Sequence, residues 1–196
     1  MPTTTIGANP YDHTFPDSEF QQMLEQLATE TEATILKGFD SGKYSRNSFG
    51  IVLLDPTAPL WKPSSECILA TVSIGAEGNF FTTNACAKVM EHRDHGVECG
   101  IMVYAANHML TDGDFAYGFS VCLNGTYAGG SGETELQDRF LVTKFVNKFN
   151  YEVDAKRAEW REVNPDNRWY CNQNEPSTRY TNALIEFAGK AAALES

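Results

Sequence analysis

Apolar and polar positions change rhythm several times along the chain, and each change marks an element. Phe20, Met23, Leu24, Leu27, Ile35 and Leu36 recur at helical steps, with acidic residues across the opposite side. That spacing predicts an amphipathic helix from about Ser18. Ser18 with Gln21 fits a capping box behind Pro16-Asp17, and Gly38 is a natural stop. Residues 1–16 are polar, carry Pro2, Pro10 and Pro16, and read as an N-terminal arm, ordered only if something holds it down.

After a loop at 39–47, Phe49 to Leu54 is a short apolar run bounded by turn residues, the mark of a buried strand. Asp55 to Ser65, with Pro56, Pro59, Pro63 and Trp61, is an irregular excursion. Cys67 to Ile74 reads as a second strand, Gly75 to Gly78 as a turn, and Asn79 to Thr82 as a short third strand. Asn84 to Asp94 has the composition of a helix, with Thr82 or Thr83 as N-cap and Gly96 as a left-handed C-cap. Residues 97–111 are ambiguous between helix and strand and are assigned to helix. Phe115 to Leu123 reads as a strand, Asn124-Gly125 as a two-residue hairpin turn, and Thr126 to Gly129 as the return strand. Glu133 to Asn150 reads as a helix with Leu136, Phe140, Val142, Phe145, Val146 and Phe149 available for packing. Residues 151–181 form an irregular, aromatic-rich extension expected to pack over the domain, and Asn182 to Leu194 is an alanine-rich helix.

Helices interleaved with hairpin-joined strands predict an α+β fold, an antiparallel sheet covered by helices, and not a doubly wound parallel sheet. The expected organisation is an arm at 1–16, one domain at 17–150, and a C-terminal extension at 151–196.

Composition narrows the function. Among 196 residues, 42% are hydrophobic and 21% charged, so the chain has the means to build a core. Its formal net charge of -11 argues against nucleic-acid and anionic-membrane partners. No apolar stretch approaches the ~18 residues of a membrane span, and the first residues lack a secretory pattern. The five cysteines are odd in number and widely spaced, which argues against a disulfide framework and for a reducing compartment. A cytoplasmic location is expected.

The strongest local signal is Gly129-Gly130-Ser131-Gly132, which joins a strand to a helix. Three glycines in four residues let another group approach the backbone. The helix start that follows presents unpaired N–H groups that suit an anion. The turn lacks both the lysine of a P-loop and the GxGxxG spacing. His92 and His95, three residues apart on the predicted helix, are candidate metal ligands, or alternatively a helix C-terminus with a favourable cation. Lys88, on the same predicted helix, can be a solvated surface lysine. Asp138 is a candidate general base or a backbone tether.

The segment Gly129-Gly130-Ser131-Gly132-Glu133-Thr134-Glu135-Leu136-Gln137-Asp138 resembles the G-x-S-G-x-T-x-x-Q-D signature of the GlcG/HbpS-like haem-binding family, which includes the C-terminal domain of PduO-type proteins. Asn84-Ala85-Cys86-Ala87-Lys88 is similar to that family's A-x-x-K helix, and the resemblance spans roughly residues 17–150. Glu133 departs from it, standing where the family has glycine. The resemblance implies a profilin-like α/β sandwich assembled as a homo-oligomer. It further implies a ligand, haem or another carboxylate-bearing compound, held by Gly130, Ser131, Gly132, Thr134 and Lys88, with His92 or His95 meeting a metal. The expected function is small-molecule binding. The alternative is a cofactor-independent isomerase, cyclase or lyase using Asp138, His92 and Lys88 as acid/base groups.

Overall fold

The computed structural model describes residues 1–114, 117–166 and 182–187. Two compact units divide the chain, Met1–Glu159 and Trp160–Ser196. The first unit contains a five-stranded sheet in the order β1-β3-β2-β5-β4. Its strands are β1 (Thr3–Ile6), β2 (Phe49–Leu54), β3 (Ile68–Ile74), β4 (Ser120–Leu123) and β5 (Thr126–Ser131), and every neighbouring pair is antiparallel. The helices are α1 (Asp17–Asp40), α2 (Gly78–His95), α3 (Cys99–Tyr104) and α4 (Glu135–Val163). The chain therefore has the α+β sandwich that its pattern predicted.

Alternation along the strands sends side chains to two cores. Phe49, Ile51 and Leu53 of β2 meet Phe20, Leu24 and Ile35 of α1 and Val142, Phe145 and Phe149 of α4 on one face. Val52 and Leu54 meet Ala85 and Val89 of α2 on the other. The sheet is thus filled on both sides, and β2, its central strand, is buried at every residue. The hairpin is built as read: Asn124 and Gly125 have φ of 51° and 84°, the left-handed pair a type I′ turn demands.

Several expectations are corrected. The arm at 1–16 is an edge strand and a core element. Thr3 to Ile6 pair with Ser73 to Ala70, and Phe15 packs edge-on against Phe20 at 5.6 Å. An unpaired β3 edge outweighs the arm's local polarity. The Ser18–Gln21 capping box does not form: Pro16 is the N-cap of α1, without a side-chain cap, and Gln21 donates to Glu25 instead. Gly38 lies inside α1, where a Cβ would fall 2.0 Å from the Tyr44 ring, and Gly42, at φ 72°, makes the left-handed turn.

Residues 79–82 are helical and not a strand, because α2 begins at Gly78 and rests its first turn on Gly50 of β2. Thr82 and Thr83 then bond back to the carbonyls of Gly78 and Asn79 and cap nothing. Gly96 does end the helix at φ 67°. Within 97–111, helix covers Cys99–Tyr104 and a single 3₁₀ turn Asn107–Met109. The expected strand from Phe115 shortens to Ser120–Leu123, with Phe115 and Ala116 outside the described residues. Residues 151–163 continue α4 and are not irregular. Of the expected terminal helix, 182–187 are helical. Residues 167–181, and the packing expected of them, lie outside the described residues. No helix among the described residues is long and apolar enough to cross a membrane.

Candidate functional site

Two glycine contacts bring the site together. A Cβ on Gly129 would fall 2.1 Å from the Ala85 carbonyl, and one on Gly50 would fall 2.1 Å from the Thr82 nitrogen. Both positions must be bare for α2 to lie directly on β5 and β2. Lys88 follows Ala85 by one helical step and so reaches the end of β5. Gly130 faces the other way, against Val142 and Phe49, where a Cβ would meet Val142 at 2.0 Å.

Lys88 and Asp138 meet there as a buried ion pair. Lys88 Nζ donates to Asp138 Oδ2 at 3.0 Å and to the Gly130 carbonyl at 3.0 Å. Each side chain is only 3% exposed. The other carboxylate oxygen, Oδ1, accepts the Glu133 N–H at 2.8 Å, so Asp138 is held from both ends. Burial pushes the Asp138 carboxyl above the usual range, opposed by the Lys88 charge and the Glu133 N–H.

The rest of the motif explains itself by local bonding. Gln137 Oε1 accepts both the Thr134 hydroxyl at 2.7 Å and the Thr134 N–H at 3.3 Å, which caps the start of α4. The N–H groups of Glu133 and Thr134 are thus taken, by Asp138 and by Gln137. Glu133 turns away to the 43–47 loop, where it accepts the Ser45 N–H, the Ser45 hydroxyl and the Arg46 N–H. Arg46 Nη1 in turn donates to the Gly132 carbonyl at 2.8 Å, and its guanidinium lies 5.4 Å over the Phe81 ring.

Above the ion pair lies a groove of about 440 Å³. Lys88, Asp138, Ser131 and Gly132 line it together with the aromatic residues Phe80, Phe81 and Tyr117, with Arg46, and with the acidic residues Glu133 and Glu135. Glu135 anchors the wall opposite α2 by accepting the Gly118 N–H and the Tyr104 hydroxyl. Other crevices run along α1 and α4, but among the described cavities the groove alone combines several aromatic lining residues with a buried titratable pair.

The predicted residues divide accordingly. Lys88, Asp138, Ser131 and Gly132 line one groove, and Gly130 contributes its carbonyl to Lys88. Thr134 caps α4 and is not a lining residue. His92 and His95 are absent from the groove and turn to different partners. His92 Nδ1 and the Ser120 hydroxyl share a hydrogen bond at 2.8 Å, while His95 Nε2 lies 4.0 Å from Asp114. Burial holds the His92 imidazole below its ordinary range. No group of three or more His, Cys, Asp or Glu that could hold a metal ion occurs among the described residues. A haem in this groove would find no histidine among its lining residues, so the donor set does not fit an iron held by His92 or His95.

Arg46, Phe80, Phe81 and Tyr117 escaped the sequence reading. Arg46 lies in a loop without a motif, and the run at 79–82 that contains Phe80 and Phe81 is too short to carry a decisive period. Compared with protein-family models, with curated proteins and with solved structures, the chain matches none.

Proposed function

We propose that the chain is a small-molecule-binding protein whose ligand is an organic acid seated in the groove over the Gly129–Asp138 turn. The observation that carries this reading is the buried Lys88–Asp138 pair opening on an aromatic-walled groove. Enclosing two charges costs several kcal/mol unless the geometry is good, and an apolar pair of similar size would hold α2 to α4 as well. A solvent-facing groove at that point gives the pair a use beyond packing. Lys88 has three donors and spends two, on Gly130 and Asp138, which leaves the third without a partner among the described residues. Arg46 adds a guanidinium beside Phe81, and Phe80 and Tyr117 supply planar apolar surface. A ring or other flat body between the aromatics, with its carboxylate toward Arg46 and Lys88, satisfies both halves of the groove. The GlcG/HbpS-like resemblance of the turn supports the same location. A homo-oligomer belongs to that resemblance as well.

Saturation-transfer NMR with a panel of ring-bearing and aliphatic carboxylates tests the reading. Ring-bearing members are expected to bind, and Arg46→Gln and Phe80→Ala are each expected to weaken them. A panel without a binder, or binding unchanged in the Arg46→Gln/Phe80→Ala double variant, overturns it.

A further inference from the structure

We propose that Lys88 forms an imine with an aldehyde or ketone admitted to the groove, and that Asp138 carries the proton for this step. The inference rests on the groove being the ligand site and adds a reactive class of ligand to it.

The pair is arranged for proton exchange. The Lys88 ammonium sits 3.0 Å from Asp138 Oδ2 in a site where both side chains are almost wholly enclosed. Moving the proton along that bond turns two buried charges into a neutral amine and a neutral acid, and a low-dielectric site penalises charges far more than neutral groups. The Glu133 N–H fixes the other carboxylate oxygen, so Asp138 stays aimed at Lys88 while it gains and loses the proton. The freed amine borders the groove, and Phe80, Phe81 and Tyr117 line it with apolar surface for a flat carbonyl compound. Among the described residues, the other lysines that bond acidic side chains are far more open: Lys148 pairs with Glu30 and Lys156 with Glu19, with lysine side chains 47% and 32% exposed.

The step balances. Asp138 takes one proton from the Lys88 ammonium. The neutral Nζ attacks the carbonyl carbon, an N–C bond forms, and the oxygen receives the proton that leaves nitrogen. Asp138 then returns its proton to the departing hydroxyl, the C–O bond breaks, and one water leaves. The product is a protonated imine with the Asp138 carboxylate restored, so the buried ion pair is re-formed and no oxidant or reductant is consumed.

The test uses the full chain with 4-carboxybenzaldehyde and sodium cyanoborohydride at neutral pH, read by peptide mass mapping, with benzoate binding measured on the same preparation by NMR. The label is expected on Lys88 before Lys148 or Lys156. Asp138→Asn is expected to slow Lys88 labelling by about 100-fold, the lower end of what a positioned acid/base group supplies. Surface lysines should label at unchanged rates. Lys88→Arg cannot form the imine and should show no labelling at this position. Lys88 labelling no faster than the surface lysines overturns the imine, as does an equal Lys88 rate in a folded Asp138→Asn protein. If benzoate still binds in that event, the groove reading stands; loss of benzoate binding as well removes both.

Discussion

Replacing Lys88 with methionine isolates the energetics of the buried pair. Methionine matches the length of the lysine stem, so packing between Ala85 and β5 is largely kept. What is lost is the charge that answers Asp138, together with the donor to the Gly130 carbonyl. An enclosed carboxylate without its partner costs about 3–5 kcal/mol at neutral pH. For a chain of this size that corresponds to a fall in Tm of roughly 6–20 °C, at about 2–4 °C per kcal/mol. Asp138→Asn retains an acceptor for the Glu133 N–H but turns an amide donor toward the ammonium, and should be comparably damaging. The double variant carries neither stranded charge and is expected to be more stable than the sum of the single losses predicts, by at least about 2 kcal/mol. Urea denaturation of the four proteins at pH 7 and near pH 4.5 measures this. Without Lys88, the folded pKa of Asp138 rises further above its unfolded value of about 3.9. A carboxyl shifted in that direction favours the folded state at low pH and disfavours it as pH rises. The Lys88→Met deficit should therefore shrink on acidification. A loss below about 1 kcal/mol at pH 7, or single effects that add to within about 0.5 kcal/mol, would refute the argument.

Two further outcomes are expected. Gly129→Ala should destabilise by about 1–3 kcal/mol or more, because its Cβ meets the Ala85 carbonyl at 2.1 Å and backbone must move; Gly96→Ala, with φ 67° but open space around it, should cost about 1 kcal/mol, and thermal denaturation ranking them the other way would contradict the close packing of α2 on β5. His92 is held in its neutral form by burial, against the opposing charge of Glu98. Its folded pKa lies below the unfolded value of 6.5, so its stabilisation is complete above that pH and is lost as pH falls toward the folded pKa. Relative to His92→Asn, the wild-type chain should lose up to about 1.4 kcal/mol per pH unit in that window, and parallel pH–stability curves for the two proteins would count against it.

The sequence by itself determined the elements that rest on local chemistry. The hairpin at Asn124-Gly125 was legible because φ above zero at two successive residues is costly for most side chains. The burial of β2 was legible because six consecutive apolar residues have no polar face to show solvent. The α+β class followed from the order of such segments. Within the site, the turn and its register with Gln137 and Asp138 were readable, since backbone constraints repeat in a fixed spacing.

Only the tertiary structure decided the remainder, because those outcomes depend on groups distant in the chain. Whether residues 1–16 were an arm or a strand depended on a free edge at β3. Whether 79–82 was strand or helix depended on Gly50, nearly thirty residues earlier, being bare. The pairing of Lys88 with Asp138 spans fifty residues, and no local pattern distinguishes a lysine bound for burial from one bound for solvent. Distant partners also parted the two histidines: their spacing allowed a shared ligand, but Ser120 and Asp114, supplied by later segments, took them in different directions.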